Sequence, residues 1–472
     1  MSTRSSRYLL AAVLLGACTP QSQPGLQPEQ LQIAEQLRDR ALAGTQAYDL
    51  VASLTSEVGH RMAGSENDAL GRAWAEARFK ALGFDRVWTE SVSFPVWDRG
   101  FESAAMTTPE ATKLMVTALG GSIGTPEEGI SGELMLFESA AALIEAEPGA
   151  AAGKIAFINQ KMERARDGRA YGEAVIARVQ GASAAAKAGA IAVLVRSIGT
   201  DTDSNSPHTG TMRYDNTPTR IPAAAVSHQD ADRIEALLRD GQTVAISLQL
   251  GARVRQGEYQ SANVIGQFDG REKPEEIVLL GAHLDSWDLG TGAIDDGAGV
   301  AITMTAAELI GQSANRPRRS IRVVAYANEE QGVFGGKAYG EAHPEAINTH
   351  VLAAESDLGA GRIWRFQTRF ADHALPLADQ IMTVLAPLGI ERGDNEAFGG
   401  ADISPLRNAG VPVVGLNQDA THYFDIHHTE NDTIEQVNAE DLDQNVAAYV
   451  AVTWLAADYN GYFGDPDQTA AQ

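Results

Sequence analysis

Five stretches in the C-terminal half place acids and imidazoles just after apolar runs. Gly281-Ala282-His283-Leu284-Asp285 follows Ile277 to Leu280, and Ala293-Ile294-Asp295-Asp296-Gly297 comes soon after it. Asn328-Glu329-Glu330 follows the apolar run ending at Tyr326, and Glu355-Ser356-Asp357 follows Val351 to Ala354. The last stretch, Thr421-His422-Tyr423-Phe424-Asp425-Ile426-His427-His428-Thr429, comes after Val411 to Leu416. Imidazoles and carboxylates without cysteine suit Zn²⁺ held open for catalysis, with Mn²⁺ or Co²⁺ as second choices. A single His-x-Asp or Glu-Glu carries little weight, because most such pairs are solvated or satisfied in a core.

The elements that must bring these groups together are strands alternating with helices. From Ser261 onward the strand candidates are Val264 to Phe268, Ile277 to Gly281, Ile321 to Tyr326, Val351 to Ala354 and Val411 to Leu416, with helices at Ala298 to Gly311 and Leu375 to Leu388. That alternation is the signature of an α/β sheet. In an open α/β sheet the ligand site lies at the carboxyl ends of the strands, so all five stretches converge on one rim. Before this region, Gln30 to Leu82 reads as helical, Gly83 stops it, and Phe84 to Trp97 reads as extended. Between Met115 and Leu250 short strands alternate with the Ala-rich stretch Ala174 to Gly189 and a helix at Asp230 to Leu238, which reads as a smaller separate module.

Taken together, the motifs resemble peptidase family M28, the di-zinc peptidases, in the branch that includes carboxypeptidase Q. The matching residues are Gly281 through Asp288, Asp295-Asp296-Gly297, Asn328-Glu329-Glu330-Gln331-Gly332, Glu355-Ser356-Asp357, and His422-Tyr423-Phe424 through His427-His428-Thr429. Steps of 12, 35 and 27 residues separate His283, Asp295, Glu330 and Asp357, as in that family. The resemblance implies a three-layer α/β sandwich with a mixed, mostly parallel sheet and an inserted protease-associated (PA) domain. It implies a discontinuous catalytic domain at 30–114 and 256–465 with the PA domain at 115–255; the residues before them read as a lipoprotein signal peptide at 1–18 and a Pro/Gln-rich flexible tether at 19–29.

The same resemblance puts His283 and Asp357 on one zinc ion, Glu330 and His428 on a second, and the Asp295 carboxylate between them. Glu329 becomes the general base for a water activated by the two ions, and Asp285 the carboxylate that accepts the other imidazole N–H of His283. Chemistry alone does not separate His427 from His428; His428 is chosen because it directly precedes Thr429, as in the family pattern. Asp402 falls where the family has a substrate-facing acid, with a solvated loop aspartate as the alternative. His422 is open between a core position, a place behind the ligands and a substrate contact. A cis peptide between Asp295 and Asp296 is also implied. The implied activity is hydrolysis of short peptides or dipeptides, with a homodimer as the suggested assembly. A metal-free binding protein on the same scaffold and a glutaminyl cyclase are the alternative functions.

Two competing motifs are weaker. Gly120-Gly121-Ser122-Ile123-Gly124 has the pattern of a serine nucleophile elbow, but Thr125-Pro126-Glu127-Glu128-Gly129 follows where that elbow demands a helix. Gly290-Thr291-Gly292 hints at a dinucleotide loop, but Asp295 stands in place of the third glycine. Four arginines, Arg362, Arg365, Arg369 and Arg407, lie in the right half of the chain to hold a substrate carboxylate.

Composition agrees with a globular chain. Its 472 residues are enough for two or three domains, with 44% hydrophobic and 21% charged residues. A net charge of −25 argues against a nucleic-acid or general anionic-membrane binder, which needs a basic surface. The one cysteine, Cys18, excludes a disulfide framework. Arg4 and Arg7 precede the apolar run Tyr8 to Leu15, and Leu15-Gly16-Ala17-Cys18 then resembles a bacterial lipobox. Cys18 is therefore expected to carry a lipid anchor on an exported protein of the bacterial cell envelope, facing the periplasm.

Overall fold

The computed structural model describes residues 25–215 and 219–465, so the Cys18 region lies outside the described residues. Its catalytic part is built on an eight-stranded mixed sheet. The four central strands run, in spatial order, Arg319–Tyr326, Lys273–His283, His350–Glu355 and Val413–Gln418, all mutually parallel. On one side the antiparallel strands Arg253–Phe268 and Arg86–Asp98 extend the sheet. Ile363–Arg369, antiparallel to its neighbour, and the short Glu391–Arg392 complete the other side.

Both faces of the central strands are covered, which is why they read as continuous apolar runs rather than alternating ones. Val278, Leu280 and Ala282 join the core formed with the helices Ala298–Gly311 and Ala439–Asp458. Leu279, Val324, Ala353 and Val413 pack on the opposite face with Tyr339 and Leu406. The architecture is thus the expected three-layer α/β sandwich. The helix Ala439–Asp458, almost wholly buried, and the strand Ile363–Arg369 were not anticipated from the sequence.

A second eight-stranded sheet forms the inserted module, with helices Tyr171–Lys187 and His228–Arg239. Its first strand, Glu102–Thr108, pairs antiparallel with its last, Ala245–Leu250, so the module spans about 102–250 rather than 115–255. The mixed small and polar residues of that first strand give it no apolar run to mark it as part of the module. Of the expected tether at 19–29, the described residues from Gly25 onward are not free. Leu26 is buried, its N–H donates to Gln380 Oε1 at 2.8 Å, and a helix starts at Pro28. No described helix is long and apolar enough to cross a membrane.

One buried arginine ties the N-terminal helices to the catalytic loops. Arg61 donates to the carbonyls of Leu284 at 2.5 Å, Gly59 at 3.1 Å, and Thr291 and Gly292 at 2.7 Å. Its own N–H donates to Ser286 Oγ at 2.9 Å. These bonds fix the loop between His283 and Asp295. Arg61→Met leaves those carbonyls without their donor and is expected to lower stability by about 3–5 kcal/mol. Urea unfolding of the two proteins checks this, and an unchanged midpoint contradicts it.

Candidate active site

The parallel order of the central strands delivers the functional groups to one rim. His283 ends its strand, Asn328-Glu329-Glu330 follows Arg319–Tyr326, Glu355 ends His350–Glu355, and Asp357 follows two residues later. His428 arrives on the long loop after Val413–Gln418. Asp295 sits in a distorted turn at the start of the buried helix Ala298–Gly311, and its peptide bond to Asp296 is cis, as the family resemblance implied.

The Asp295 carboxylate lies between two pairs, each an imidazole and an acid. Its Oδ1 is 3.1 Å from His283 Nε2, which is in turn 3.4 Å from Asp357 Oδ1. Its Oδ2 is 3.2 Å from His428 Nε2, which is in turn 2.9 Å from Glu330 Oε2. Glu330 Oε1 is buried without a hydrogen-bond partner. Ligand atoms of His283, Asp295 and Glu330 fall within 4.8 Å of one another, as do those of Asp295, His427 and His428. Two imidazoles and two further carboxylates converge on the Asp295 carboxylate, a donor set suited to zinc. His427 is the poorer candidate. Its Nε2 reaches only Asp295 Oδ2, at 3.6 Å, and its ring stacks on His428 at 3.5 Å.

The groups behind the ligands differ in part from expectation. His283 Nδ1 meets the main-chain carbonyl of Asp285 at 3.0 Å, while the Asp285 carboxylate stands 3.7 Å away. That carboxylate instead accepts the N–H of Glu329 at 2.9 Å and of Glu330 at 3.3 Å, so it fixes the turn that carries both glutamates. Asp296 accepts the N–H of His283 at 3.1 Å. Asp432, which the sequence reading passed over, accepts the N–H groups of Ile294 at 2.7 Å and Asp295 at 3.1 Å. Its place four residues after His428 was the available signal.

A cavity of about 410 Å³ opens onto this cluster, lined among others by Glu329, Glu330, Asp295, Asp357 and His428. Asp402 is not the solvated loop aspartate of the alternative reading. It is buried, accepts the N–H of Gly336 at 2.9 Å, and donates its own N–H to Glu355 Oε2 at 2.9 Å. Glu355 lines the cavity and Asp402 lies behind it, each with one buried oxygen lacking a partner. His422 lies neither in the core nor among the residues that line the cavity. Its side chain is 83% exposed and pairs with Asp425 at 3.0 Å, because the short helix Tyr423–Ile426 turns it outward. The four candidate arginines do not line the cavity. Arg362 pairs with Asp441, Arg365 stacks on Trp364, and Arg369 and Arg407 bond main-chain carbonyls. The arginine that does line it is Arg178, from the inserted module, together with Tyr171. Nothing in the spacing of the Ala-rich helix distinguished them. Ser122, by contrast, is a buried structural hydroxyl that accepts the N–H of Ala223 at 2.8 Å.

Crowding of acids shapes the electrostatics. Burial drives the Glu329 pKa well above its ordinary value, and Asp357, Asp402 and Glu330 add to the effect. Burial likewise raises Glu355 and Asp402, each worsened by neighbouring acids. Burial opposes ionisation of Asp295, but hydrogen bonds from His283 and His428 hold it well below the usual carboxylate range. Burial also opposes the charged form of His428, but Glu330 and Asp295 outweigh it and raise the pKa to about 9. Asp432 is pushed up to about 7, by burial first and Asp295 second.

A model of peptidase family M28 matches residues 263–453, and a PA domain model matches residues 130–234. Carboxypeptidase Q of Xenopus laevis is 36% identical over 90% of this chain and 89% of its own. A crystal structure of a peptidase M28 precursor from Shewanella amazonensis SB2B superposes with a TM-score of 0.90 at 49% identity, covering 92% of this chain and 98% of that one. The fold extends to BSAP, a zinc aminopeptidase from Bacillus subtilis, with a TM-score of 0.62 at 20% identity over 88% of this chain and 97% of its own. The chain belongs to peptidase family M28 and is a peptidase with a PA domain.

The raised groups set a pH dependence for the metal-free protein. A group raised on folding contributes stability that is full below its unfolded pKa and lost as pH rises through its folded pKa. For Asp432 the window runs from 3.8 to about 7, and for His428 from 6.5 to about 9. The melting temperature of chelator-treated protein is therefore expected to fall between pH 6 and pH 9, and added zinc to reduce that fall. A flat profile in the metal-free protein contradicts this.

Proposed function

We propose that the chain is an exopeptidase of short peptides that uses two zinc ions and Glu329 as the general base. The observation that carries this reading is the Asp295 carboxylate, with one oxygen toward the His283 and Asp357 pair and the other toward the Glu330 and His428 pair. His283, Asp357, Asp295, Glu330 and His428 would hold the ions, which supply an acidified water and polarise the scissile carbonyl.

Everything else falls to the chain. Glu329 lines the cavity beside the ligands, and its main chain is fixed by the Asp285 carboxylate. Its elevated proton affinity suits a carboxylate that takes a proton from water and passes it to the leaving amine. The cavity volume of about 410 Å³, at the small end for ligand sites, favours a short peptide over an extended chain. The complete donor set argues against a metal-free binding protein.

Glu329→Gln keeps the shape of the side chain and removes the base. Metal content is expected to stay near two zinc ions per chain, while dipeptide turnover falls by about 10²–10⁴-fold. Near-parental turnover in this variant sinks the assignment. A panel of free and end-blocked dipeptides, run before and after chelation, names which terminus must be free.

A further inference from the structure

His428 is the one proposed zinc ligand that its own domain does not fully hold. It takes a left-handed backbone, φ +62°, which a residue with a side chain adopts only when its surroundings impose it. On the main-chain carbonyl and Nδ1 side, those surroundings belong to the inserted module. The N–H of Thr209 donates to the His428 carbonyl at 3.0 Å, and the carbonyl of Thr209 faces His428 Nδ1 at 3.3 Å. One residue earlier, His208 Nδ1 lies 2.7 Å from the His427 carbonyl.

The Thr209 carbonyl is braced in turn. Arg178 Nη1 donates to it at 3.2 Å and lies 3.5 Å from His428 Nδ1, while Arg178 Nη2 donates to the Tyr171 hydroxyl at 2.6 Å. Thr209 Oγ1 donates to the Ala118 carbonyl at 2.9 Å and accepts from Arg99 Nη1 at 3.2 Å. At Gly210, φ +130°, a side chain would run into the Arg178 guanidinium, so the close approach requires glycine.

An imidazole that gives Nε2 to a metal carries its proton on Nδ1 and needs an acceptor there. An arginine side chain offers only donors, so Arg178 cannot be that acceptor. The Thr209 carbonyl can be. We propose that the PA module completes the second zinc site, with the Thr209 carbonyl, braced by Arg178, selecting the His428 tautomer that leaves Nε2 free for metal. Thr209 and Arg178 are then positioning residues, and the module is part of the metal centre rather than only a cover over it. The inference rests on the two-zinc reading above.

The test is zinc affinity of the full chain, by competition with a chromophoric chelator, for the parent, Arg178→Met, Arg178→Lys and Arg164→Met. Arg178→Met removes a positive charge near the site, and relief of its Coulomb repulsion alone would tighten cation binding. The expected result is the opposite, a loss of about 10–100-fold at one of the two sites with the other within about twofold. Arg178→Lys keeps the charge but not the fork that bonds both Thr209 and Tyr171, so it is expected to lose affinity too. It carries the comparison if the methionine variant does not fold. Arg164 ties the same module to the catalytic domain elsewhere, through the Thr421 carbonyl at 2.6 Å and Asp425 at 2.7 Å. Arg164→Met is expected to bind zinc within about twofold of the parent. Parental affinity at both sites in the Arg178 variants overturns the proposal, as does an equal loss in Arg164→Met. A parent that takes up no more than one zinc ion per chain instead brings down the two-zinc reading itself.

Discussion

The rest of the site depends on gathering many carboxylates in one buried place. Asp295, Asp357, Glu329, Glu330, Glu355 and Asp402 all meet at or just behind a single rim of the sheet. Like charges this close cannot all ionise in a dry setting, and burial drives most of these groups toward their neutral forms. Asp295 escapes that fate because an imidazole approaches each of its oxygens. Cations are the natural complement to such a cluster, since they supply the charge that the protein withholds. Much of the surrounding structure then serves to hold acids where they would not stay by themselves. Main-chain N–H groups approach Asp285, Asp432, Glu355 and Asp402 from turns and helix starts, and Asp296 from the strand end at His283.

The sheet provides the rigid frame for that work. Parallel central strands deliver their ends to one edge, and the helices Ala298–Gly311 and Ala439–Asp458 close the face beneath Asp295. Arg61 then spans the distance between the N-terminal helices and the loop that follows His283. It replaces what would otherwise be a row of unpaired carbonyls in a buried loop.

Sequence and structure agree best where chemistry and periodicity coincide. The central strands are legible as apolar runs because both of their faces are buried, and the acids after them are legible because a strand end is where a site must lie. The Ala-rich stretch Ala174 to Gly189 stands out in composition, yet Arg178 within it and Tyr171 just before it, both lining the cavity, carry no signal of their own. Long-range partnership has no local signature. Thr209 meets His428 across 219 residues of chain, and Arg61 meets Gly292 across 231. Asp285 illustrates a finer limit. Its place two residues after His283 is consistent with a carboxylate partner for the imidazole, but the geometry gives that role to its carbonyl and frees the carboxylate for the Glu329 turn. His422 shows the reverse case, a motif residue whose helix turns it to solvent.

The long ribbon formed by Arg86–Asp98 and Arg253–Phe268 bears on how the chain is made. Its two strands pair over most of their length, Asp98 against Arg253 and Arg86 against Gln267, yet the whole inserted module is translated between them. The first strand must therefore wait for its partner while more than a hundred residues emerge, and contacts separated so widely along a chain form slowly. The module, whose first and last strands pair with each other, can close on itself in that interval and bring the two ribbon ends side by side. Once the module has closed, the ends of the two ribbon strands lie side by side, so the separation that their pairing must bridge is far shorter than the count of intervening residues suggests.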